Sequence, residues 1–321
     1  MSGREIMDNG LLANKMKKIA LTASDFEKIF NEKLSDYVKS KVEEYKFSCY
    51  DVTPDERDAC IKKIISALLD SNLVCAGEHR IENWEKGWSE NLKKIASNPD
   101  FESIIPKYFG KHNIVRLNQK FIKPASKNFE YNMLCIILDW IFDKYMRDAS
   151  SIYEFGCGTG HHLVRTREVN PTANLWGLDW TESSQKIIQN FALKMNDSKL
   201  FAHKFDFLNP NREFVIERDA VVYTVASLEQ IGTKFDKFIA YLRSNKPKLC
   251  IHVEPIAELL DENNLLDYLS IVYFKKRNYL SGFLPYLRNL ESIGDIKILK
   301  AQRTFIGSLF IEGYSVIVWS P

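Results

Sequence analysis

The sequence lacks the features by which several classes of protein are usually identified. Its 321 residues include 44 Lys and Arg against 42 Asp and Glu, a formal net charge of +2. No excess of one sign therefore points to nucleic acid or to an anionic membrane surface. The six cysteines are scattered without a C-x-x-C pair, which argues against a zinc knuckle. No basic segment followed by an apolar one opens the chain, so we expect no signal peptide.

Long apolar runs are missing as well. The longest apolar-rich stretch, MLCIILDWIF at 133–142, is interrupted by Asp139 and is far shorter than the ~20 residues of a membrane span. The hydrophobic fraction of 45% and the charged fraction of 27% are ordinary for a soluble globular protein. We therefore expect a cytoplasmic protein with reduced thiols and no membrane partner.

The first part of the chain, 1–127, shows mainly helical periodicity and is interpreted as a cap or substrate domain. One apolar stripe in 23–45 runs through Phe26, Phe30, Leu34 and Val38. A second, in 56–73, places five apolar residues on one helix face: Ile61, Ile64, Ile65, Leu68 and Leu69. The stretch 84–96 indicates a third helix.

Two segments connect this part to the rest. The helix predicted at 128–146 is apolar on more than one face, so it is either buried against the next domain or packed in a homodimer. The preceding stretch, 108–130, has short strand-like pieces and is interpreted as a connecting loop with a function. Within it, 114–124 alternates polar and apolar residues. This alternation fits either an edge strand or a lid over a ligand pocket.

After residue 150 the pattern alternates between strands and helices. Strands are predicted at 151–155, 173–180, 199–206 and 219–227, with helical patterns between them. This alternation indicates an α/β fold with a parallel sheet and helices on both faces. Two closing strands, at 295–305 and 313–319, suggest an antiparallel hairpin joined by a short turn at one edge.

A glycine-rich stretch, YEFGCGTGHHL at 153–163, lies between the first of these strands and its helix. Glycines at 156, 158 and 160 let the backbone approach a ligand closely, and the helix N-terminus adds oriented N–H groups. Ligands of such sheets bind at the carboxyl ends of the strands. The spacing G-x-G-x-G differs from the dinucleotide fingerprint G-x-G-x-x-G, and the phosphate-binding loop G-x-x-x-x-G-K-[ST] is absent.

The acid, the apolar residue and the three glycines of EFGCGTG (154–160) resemble the first motif of the class I S-adenosylmethionine-dependent methyltransferases. Their second landmark, an acid at the end of the second strand, is matched by Asp179. Their third, an acid and an apolar residue after the third strand, is matched by Asp206 and Phe207, and their fourth segment by 221–232. The resemblance covers about 150–321. It implies a Rossmann-like seven-stranded sheet, parallel with an antiparallel last strand, in a methyltransferase domain at 128–321 that follows the mainly helical domain.

The resemblance also implies S-adenosylmethionine as cofactor, S-adenosylhomocysteine as product, and a set of cofactor-binding residues. These are Glu154, Gly156, Cys157, Gly158, Gly160, Asp179, Trp180, Asp206, Phe207 and Thr224, with Arg116 contributed by the predicted lid, where it would pair with a carboxylate. Asp179 is expected to hold the ribose hydroxyls, although it could instead cap a helix. Asp206 could likewise open a turn in DFLNPN.

Methyl transfer requires alignment of the acceptor with the methyl carbon and, for a hydroxyl or a protonated amine, a base. The candidates are His252 and Glu254 in CIHVEPIAE and Glu229 in SLEQIG, although a histidine at a strand end is often only a structural hydrogen-bonding group. Five further residues are predicted to contact the substrate: His162, Gln230, Tyr273, Arg277 and Glu312. No tight ligand spacing such as H-x-x-x-H occurs, so we expect no metal.

The acceptor is the least specified part of the prediction. The Asp/Asn-Pro-Pro-Tyr/Phe tetrapeptide of nucleic acid amino-methyltransferases is missing, and TVAS (224–227) stands in its place. Together with the near-neutral charge, this disfavours nucleic acid. A helical cap suits a small acceptor, so we predict transfer to an O or N atom of a sugar or specialised metabolite. The alternatives are a protein or RNA methyltransferase, a non-catalytic S-adenosylmethionine-binding scaffold, and an NAD-dependent enzyme, which the glycine spacing opposes.

Overall fold

The computed structural model describes residues 17–97 and 104–321. In these ranges the helices are α1 Ala23–Phe30, α2 Asp36–Tyr45, α3 Pro54–Leu69, α4 Ile81–Ser97, α5 Phe129–Tyr145, α6 His161–Val169, α7 Glu182–Lys194, α8 Asp236–Asn245, α9 Leu265–Arg277 and α10 Phe283–Ser292. The strands are β1 Lys18–Ala20, β2 Ser48–Asp51, β3 Val115–Leu117, β4 Lys120–Pro124, β5 Ser151–Phe155, β6 Asn174–Asp179, β7 Leu200–Lys204, β8 Val221–Val225, β9 Leu249–Glu254, β10 Lys297–Gln302, β11 Ile306–Gly307 and β12 Ser315–Ser320.

The larger sheet has seven strands in the order β7-β6-β5-β8-β9-β12-β10. The five strands from β7 to β9 are parallel, and β12 runs antiparallel to both β9 and β10. This confirms the predicted seven-stranded α/β sheet with a reversed last strand. The predicted short turn between the closing strands is wrong, because twelve intervening residues carry β11, which pairs with β3 in another sheet.

The central strands were predictable because they are buried on both faces. Every residue of β5, SIYEF, and of β8, VVYTV, is buried. Strands of a parallel sheet covered by helices read as continuous apolar runs rather than as alternating ones. This arrangement places the carboxyl ends of β5, β6 and β8 beside one another, where ligands of open α/β sheets bind.

A second sheet has the strand order β1-β2-β4-β3-β11 and was not anticipated. The stretch interpreted as a functional loop or a lid forms the hairpin of β3 and β4, which turns at Asn118 and Gln119 with φ of 49° and 58°. Two residues with positive φ are typical of a tight hairpin turn. Strand β11, from the far end of the chain, extends this sheet at β3. The stretch 114–124 therefore forms strands, but β4 lies between β2 and β3, and β3 lies between β4 and β11. The edge-strand interpretation is wrong in placing the stretch at an edge, and the lid interpretation is wrong as well.

The predicted helices are present with two differences. The stretch 23–45 is divided into α1 and α2 after Asn31, which adopts a left-handed conformation with φ 48°, and all four residues of its apolar stripe are buried. In α3, Ile64 is buried, but Ile65 is 42% exposed and Leu69 79% exposed. The buried face of α3 is thus narrower than the sequence pattern suggested. Helix α10 was not predicted.

Helix α5 joins the two parts of the chain into one core. All its apolar residues from Phe129 to Phe142 are buried, and Trp140 stacks on Phe30 of α1 with 4.3 Å between ring centroids. The first of the two interpretations of 128–146, burial within the chain, is therefore correct. The division at 127/128 stays a prediction, since the core and the second sheet both include residues from either side of it.

One charged group lies inside this core. Asp139, which interrupts the apolar run of α5, is fully buried. Its carboxylate accepts hydrogen bonds from Arg165 of α6 at 2.6 Å and from the Tyr45 hydroxyl of α2 at 2.9 Å, and Arg165 also donates to Tyr45 at 2.7 Å. A buried charge is tolerated only when it is paired and hydrogen-bonded. This triad connects α2, α5 and the helix that follows the glycine loop.

Across 17–97 and 104–321, no helix is both long and apolar enough to cross a membrane.

Candidate active site

A cavity of about 60 Å³ lies at the carboxyl ends of β5, β6 and β8. It is lined by Trp84, Trp88, Gly156, Asp179, Trp180, Phe205, Phe207, Ala226, Ser227, Gln230 and Ile231. Sites that bind small molecules or cofactors usually have a volume of about 300–1,000 Å³. Trp84 and Trp88 of α4 occupy part of the wall of this small cavity. Their side chains must therefore shift before a larger ligand can bind there.

The glycine loop has the backbone that the sequence suggested. Gly156, Gly158 and Gly160 have φ of 75°, 53° and 73°, in the region that side chains disfavour. A Cβ on Gly156 would lie 2.4 Å from the Cβ of Ser227, and one on Gly158 would lie 2.9 Å from the Trp88 ring. Glycine is required at 156 for both conformation and space, because the loop after β8 approaches closely there.

Replacing Gly156 with alanine is expected to lower the free energy of unfolding by about 2–5 kcal/mol. About 1–2 kcal/mol comes from the left-handed backbone and about 1–3 kcal/mol from overpacking against Ser227. The matched control is Gly282→Ala, because Gly282 has φ 77° and a Cβ added there would meet no atom within 4 Å. Urea unfolding of both variants separates the two contributions. Equal losses in the two variants would contradict the close approach to Ser227.

Asp179 ends β6 beside the glycine loop and is 6% exposed. One carboxylate oxygen accepts from the Gly158 amide at 2.9 Å, and the other accepts from the Thr181 amide at 3.0 Å and its hydroxyl at 2.7 Å. Burial raises the pKa of Asp179, and the Thr181 and Gly158 donors oppose the rise. Asp179 therefore lines the cavity and fixes the glycine loop. Its carboxylate also accepts from Thr181, the N-cap residue that precedes α7, but makes no hydrogen bond to α7 itself.

Glu154, the acid of the first motif, faces inward. Its carboxylate lies 2.7 Å from Nδ1 of His162 and accepts from the Tyr223 hydroxyl at 3.0 Å. Burial raises the pKa of Glu154 well above its usual value and lowers the pKa of His162 to about 3. The imidazole is therefore neutral. His162, predicted to contact the substrate, instead supports the acid behind the glycine loop.

His252 does not have the surroundings of a general base. It is fully buried in β9, its Nδ1 lies 2.9 Å from the Thr224 hydroxyl, and its Nε2 accepts from the Trp319 indole at 3.0 Å. Burial lowers the pKa of His252 to about 3. Because both ring nitrogens are engaged and the side chain is enclosed, the prediction of His252 as a base is wrong. Thr224 is likewise fully buried against His252 and lies away from the cavity lining.

Glu254 and Glu229 have different roles in the loop after β8. The Glu254 carboxylate accepts from the amides of Ser227 at 3.0 Å, Leu228 at 3.1 Å and Glu229 at 3.4 Å. Both of its oxygens thus organise the loop rather than face an acceptor. The Glu229 carboxylate accepts from the side-chain amide of Gln230 at 2.8 Å. Burial, and next the charge of Glu254, raises the pKa of Glu229 to about 8.

Arg116, predicted to bind the cofactor, and Glu312, predicted to contact the substrate, both lie outside the cavity lining. The Arg116 guanidinium is buried in β3 and donates to the carbonyls of Leu309 and Phe310 at 3.1 and 2.7 Å, and to that of Leu266 at 2.5 Å. It binds carbonyls instead of the predicted carboxylate of a ligand, because it connects the second sheet to α9. Glu312 is paired with Arg303 at 2.7 Å and therefore has a local partner in place of a substrate.

The residues that follow the second and third strands of the parallel series, β6 and β7, differ in their surroundings. Trp180, Phe205 and Phe207 line the cavity, which suits the apolar faces of an aromatic base. Asp206 instead closes a turn, accepting from the Leu208 amide at 2.8 Å, as in the alternative interpretation of DFLNPN. The thiol of Cys157 lies inside the glycine loop, 3.5 Å from the buried hydroxyl of Ser184.

Three residues of α4 were missed by sequence reasoning. Trp84 and Trp88 stack with 5.4 Å between ring centroids and line the cavity. Glu85 accepts from the amides of Glu182 and Ser183 at 2.8 and 3.1 Å, at the start of α7. These contacts hold α4 over the glycine loop. The signal in the sequence was the spacing of Trp84 and Trp88, four residues apart, which places both rings on one helix face.

Comparisons with known proteins place the chain among distant structural neighbours. No family model matches the sequence, and no curated relative matches it. A magnesium protoporphyrin IX methyltransferase from Synechocystis PCC 6803, solved with bound S-adenosylhomocysteine, is 14% identical over 60% of this chain and 82% of that chain, with a TM-score of 0.44.

Two other solved structures show a similar degree of likeness. A geranyl diphosphate methyltransferase, in complex with GPP and sinefungin, is 11% identical over 76% of this chain and 98% of that one, with a TM-score of 0.46. An O-methyltransferase from neocarzinostatin biosynthesis, in complex with S-adenosylmethionine and a naphthoic acid, is 13% identical over 60% of this chain and 57% of that one, with a TM-score of 0.40.

Proposed function

We propose that the protein is an S-adenosylmethionine-dependent methyltransferase that transfers a methyl group to an O or N atom of a small molecule. The observation that carries this proposal is the position of Asp179. It ends β6 at the rim of the cavity, hydrogen-bonded to the Gly158 amide of a glycine loop in which side chains at 156 and 158 would clash with their neighbours. The predicted ribose-binding acid and the predicted cofactor loop therefore meet at one point.

The residues around the cavity fit this cofactor. Asp179 offers carboxylate oxygens to ribose hydroxyls, and Phe207 and Trp180 offer apolar surfaces to the adenine. Buried polar atoms near the loop also lack a partner within the described chain, among them the indole nitrogen of Trp84 and the amide oxygen of Gln230. Buried polar groups normally have a partner, so these atoms support a polar ligand at this position.

Glu229 is the proposed base. When bound, the cofactor supplies a methyl carbon activated by a sulfonium. With the cofactor held by the glycine loop and Asp179, the carboxylate of Glu229 would take the O–H or N–H proton of the acceptor. A pKa of about 8 lies near the operating range that favours a general base. Glu254 positions Glu229 through the backbone of the loop.

The small-molecule acceptor is favoured over a macromolecular one by the enclosure of the site. Helix α4 lies across the cavity, with Trp84 and Trp88 against it, so a folded macromolecule has no direct access. Nucleic acid remains disfavoured by the net charge of +2. A homodimer and the absence of a metal stay predictions. The scaffold alternative is opposed by Glu229, an acid with a raised pKa next to Gln230 of the cavity lining.

Replacing Asp179 with alanine tests the proposed cofactor site. Hydrogen bonds to a charged group contribute about 1.5–3 kcal/mol each, so loss of two ribose contacts is expected to weaken binding of S-adenosylhomocysteine by about 100-fold or more. Isothermal calorimetry of the wild type and Asp179→Ala measures the change directly.

The matched control for this experiment is Asp206→Ala. The Asp206 carboxylate closes a turn, and Asp206 is not among the residues that line the cavity. Its removal is therefore expected to change the affinity for S-adenosylhomocysteine by less than about threefold, the effect of under 1 kcal/mol. An absence of binding by the wild type, or equal losses in the two variants, would overturn the proposed cofactor site.

A further inference from the structure

We propose that Arg80 and Arg277 form an anion-binding subsite for the methyl acceptor, so that the acceptor carries a carboxylate or phosphate group. This inference rests on the proposed function, and it adds a chemical class to the acceptor. The two arginines come from distant parts of the chain, the 3₁₀ turn before α4 and the last turn of α9. Neither position is specified by the cofactor motifs.

Backbone contacts bring the segment just before Arg80 against the end of α9, where Arg277 lies. The Ala76 amide donates to the carbonyl of Arg277 at 2.7 Å, and the Asn278 side chain donates to the carbonyl of Ala76 at 3.2 Å. Burial, and next the charge of Arg277, lowers the pKa of Arg80. The chain therefore brings the two guanidinium groups into one region, where their like charges repel each other.

Aromatic rings fix the orientation of both guanidinium groups. Arg277 lies over the Tyr279 ring, 5.0 Å from its centroid, and its Nη1 donates to the Tyr273 hydroxyl at 3.2 Å. Arg80 lies over the Trp84 ring at 5.5 Å. Stacking of this kind holds a planar guanidinium with its N–H groups free to bind an oxyanion bidentately.

Neither arginine forms a salt bridge within the described residues. The arginines that do form one there are Arg57, Arg147, Arg165, Arg167, Arg243 and Arg303. The Nε atoms of Arg80 and Arg277 are both buried and lack a hydrogen-bond partner within 17–97 and 104–321. Buried N–H groups of a cation are costly to leave unpaired. An oxyanion placed between these groups would satisfy both.

The subsite adjoins the proposed chemistry. Trp84, which stacks on Arg80, lines the cavity. On the other side, the charge of Arg277 and the Tyr279 hydroxyl both lower the pKa of Glu229 against the effect of burial. An acceptor whose anionic group is held by the arginines would therefore extend towards the proposed base. The arginine pair then fixes the position of the acceptor, which is the main requirement of an in-line displacement.

Inorganic phosphate is the probe for this subsite, titrated by calorimetry into the full chain saturated with S-adenosylhomocysteine. Wild type is expected to bind phosphate, and Arg277→Gln and Arg80→Gln to bind it at least about tenfold more weakly, the effect of one lost charge-assisted hydrogen bond. The matched control is Lys275→Gln, an exposed cation on the same helix, which is expected to bind phosphate as the wild type does. Arg277→Lys retains the charge without the planar guanidinium, so its affinity for phosphate is expected to lie between those of the wild type and Arg277→Gln. This variant also tests the subsite if Arg277→Gln fails to fold.

The outcomes separate the subsite from the cofactor site. Phosphate binding that persists with S-adenosylhomocysteine bound and is lost in both glutamine variants supports the proposal. Competition between phosphate and S-adenosylhomocysteine, with weaker S-adenosylhomocysteine binding by Arg277→Gln, would assign the arginines to the carboxylate of the cofactor and overturn it. Absence of phosphate binding, or an equal loss in Lys275→Gln, would also overturn it. If the wild type binds phosphate but not S-adenosylhomocysteine, the proposed function itself fails.

Discussion

Replacing Glu229 with glutamine is expected to lower the rate of methyl transfer by about 10²–10⁴-fold, the usual contribution of a general base. The amide has nearly the same shape but cannot take a proton from the acceptor. The measurement uses S-adenosylmethionine labelled in its methyl group and the small-molecule fraction of a cell extract as the source of acceptors. Binding of S-adenosylhomocysteine is expected to change little, because Glu229 is not among the residues that line the cavity.

The pH dependence gives a second signature of Glu229. A base must be ionised to act, and the pKa of Glu229 is raised to about 8. The rate of the wild type is therefore expected to rise with pH through about 8, and the residual rate of Glu229→Gln to lack this rise. Carbon NMR of the Glu229 carboxyl checks the pKa without any acceptor.

The control for both experiments is Glu262→Gln, which removes an exposed acid before α9. Its rate and pH profile are expected to match the wild type. A Glu229→Gln variant that transfers methyl groups within about threefold of the wild-type rate, a difference of less than 1 kcal/mol, would exclude Glu229 as the base. A carboxyl that titrates near 4.5, its ordinary value, would exclude it as well.

Replacing Arg165 with methionine is expected to lower the free energy of unfolding by about 3–5 kcal/mol, because the fully buried carboxylate of Asp139 then has no cation. The Tyr45 hydroxyl remains as a hydrogen-bond donor, but it carries no charge. Since Arg165 belongs to the helix that follows the glycine loop, the loss should also loosen that loop. Urea unfolding measures the change in stability.

Two further variants distinguish the unpaired charge from a general effect of substitution. Lys194→Met alters an exposed cation on α7 and should change the unfolding free energy by less than about 0.5 kcal/mol. Adding Asp139→Leu to Arg165→Met removes both charges and is expected to restore part of the stability, since apolar replacement of a whole buried pair is often tolerated. A single Arg165→Met variant as stable as the wild type would contradict the role of the triad.

The parts of the fold that could be predicted from the sequence have strong local patterns. Strand β5 occurs at the predicted residues, 151–155, because buried parallel strands are short continuous apolar runs. Strands β1 and β2, KIA and SCYD, have only three and four residues. Such lengths show no periodicity, and their assembly into one sheet with β4, β3 and β11 depends on contacts between residues far apart in sequence. The second sheet could not be predicted for this reason.

The site shows the same division between local and long-range information. Asp179 and Asp206 both lie at the ends of predicted strands. Sequence pattern alone does not separate an acid that faces the cavity from one that closes a turn. His252 and Glu254 of β9 were predicted as general bases because they are polar residues near a strand end. Whether such a side chain is enclosed by neighbouring strands and helices or reaches the cavity depends on the register of the strand in the sheet. His252 pairs with Ile317 across β9 and β12, where burial excludes it from acid–base chemistry.

The most direct measurement is a crystal structure of the protein grown with S-adenosylhomocysteine. We expect the ligand at the carboxyl ends of β5 and β6, with its ribose hydroxyls on Asp179, its adenine against Phe207, and Trp84 and Trp88 displaced from the positions that they occupy beside the glycine loop. A ligand bound elsewhere, or a glycine loop that stays covered by Trp88 at saturating S-adenosylhomocysteine, would contradict the proposed methyltransferase site.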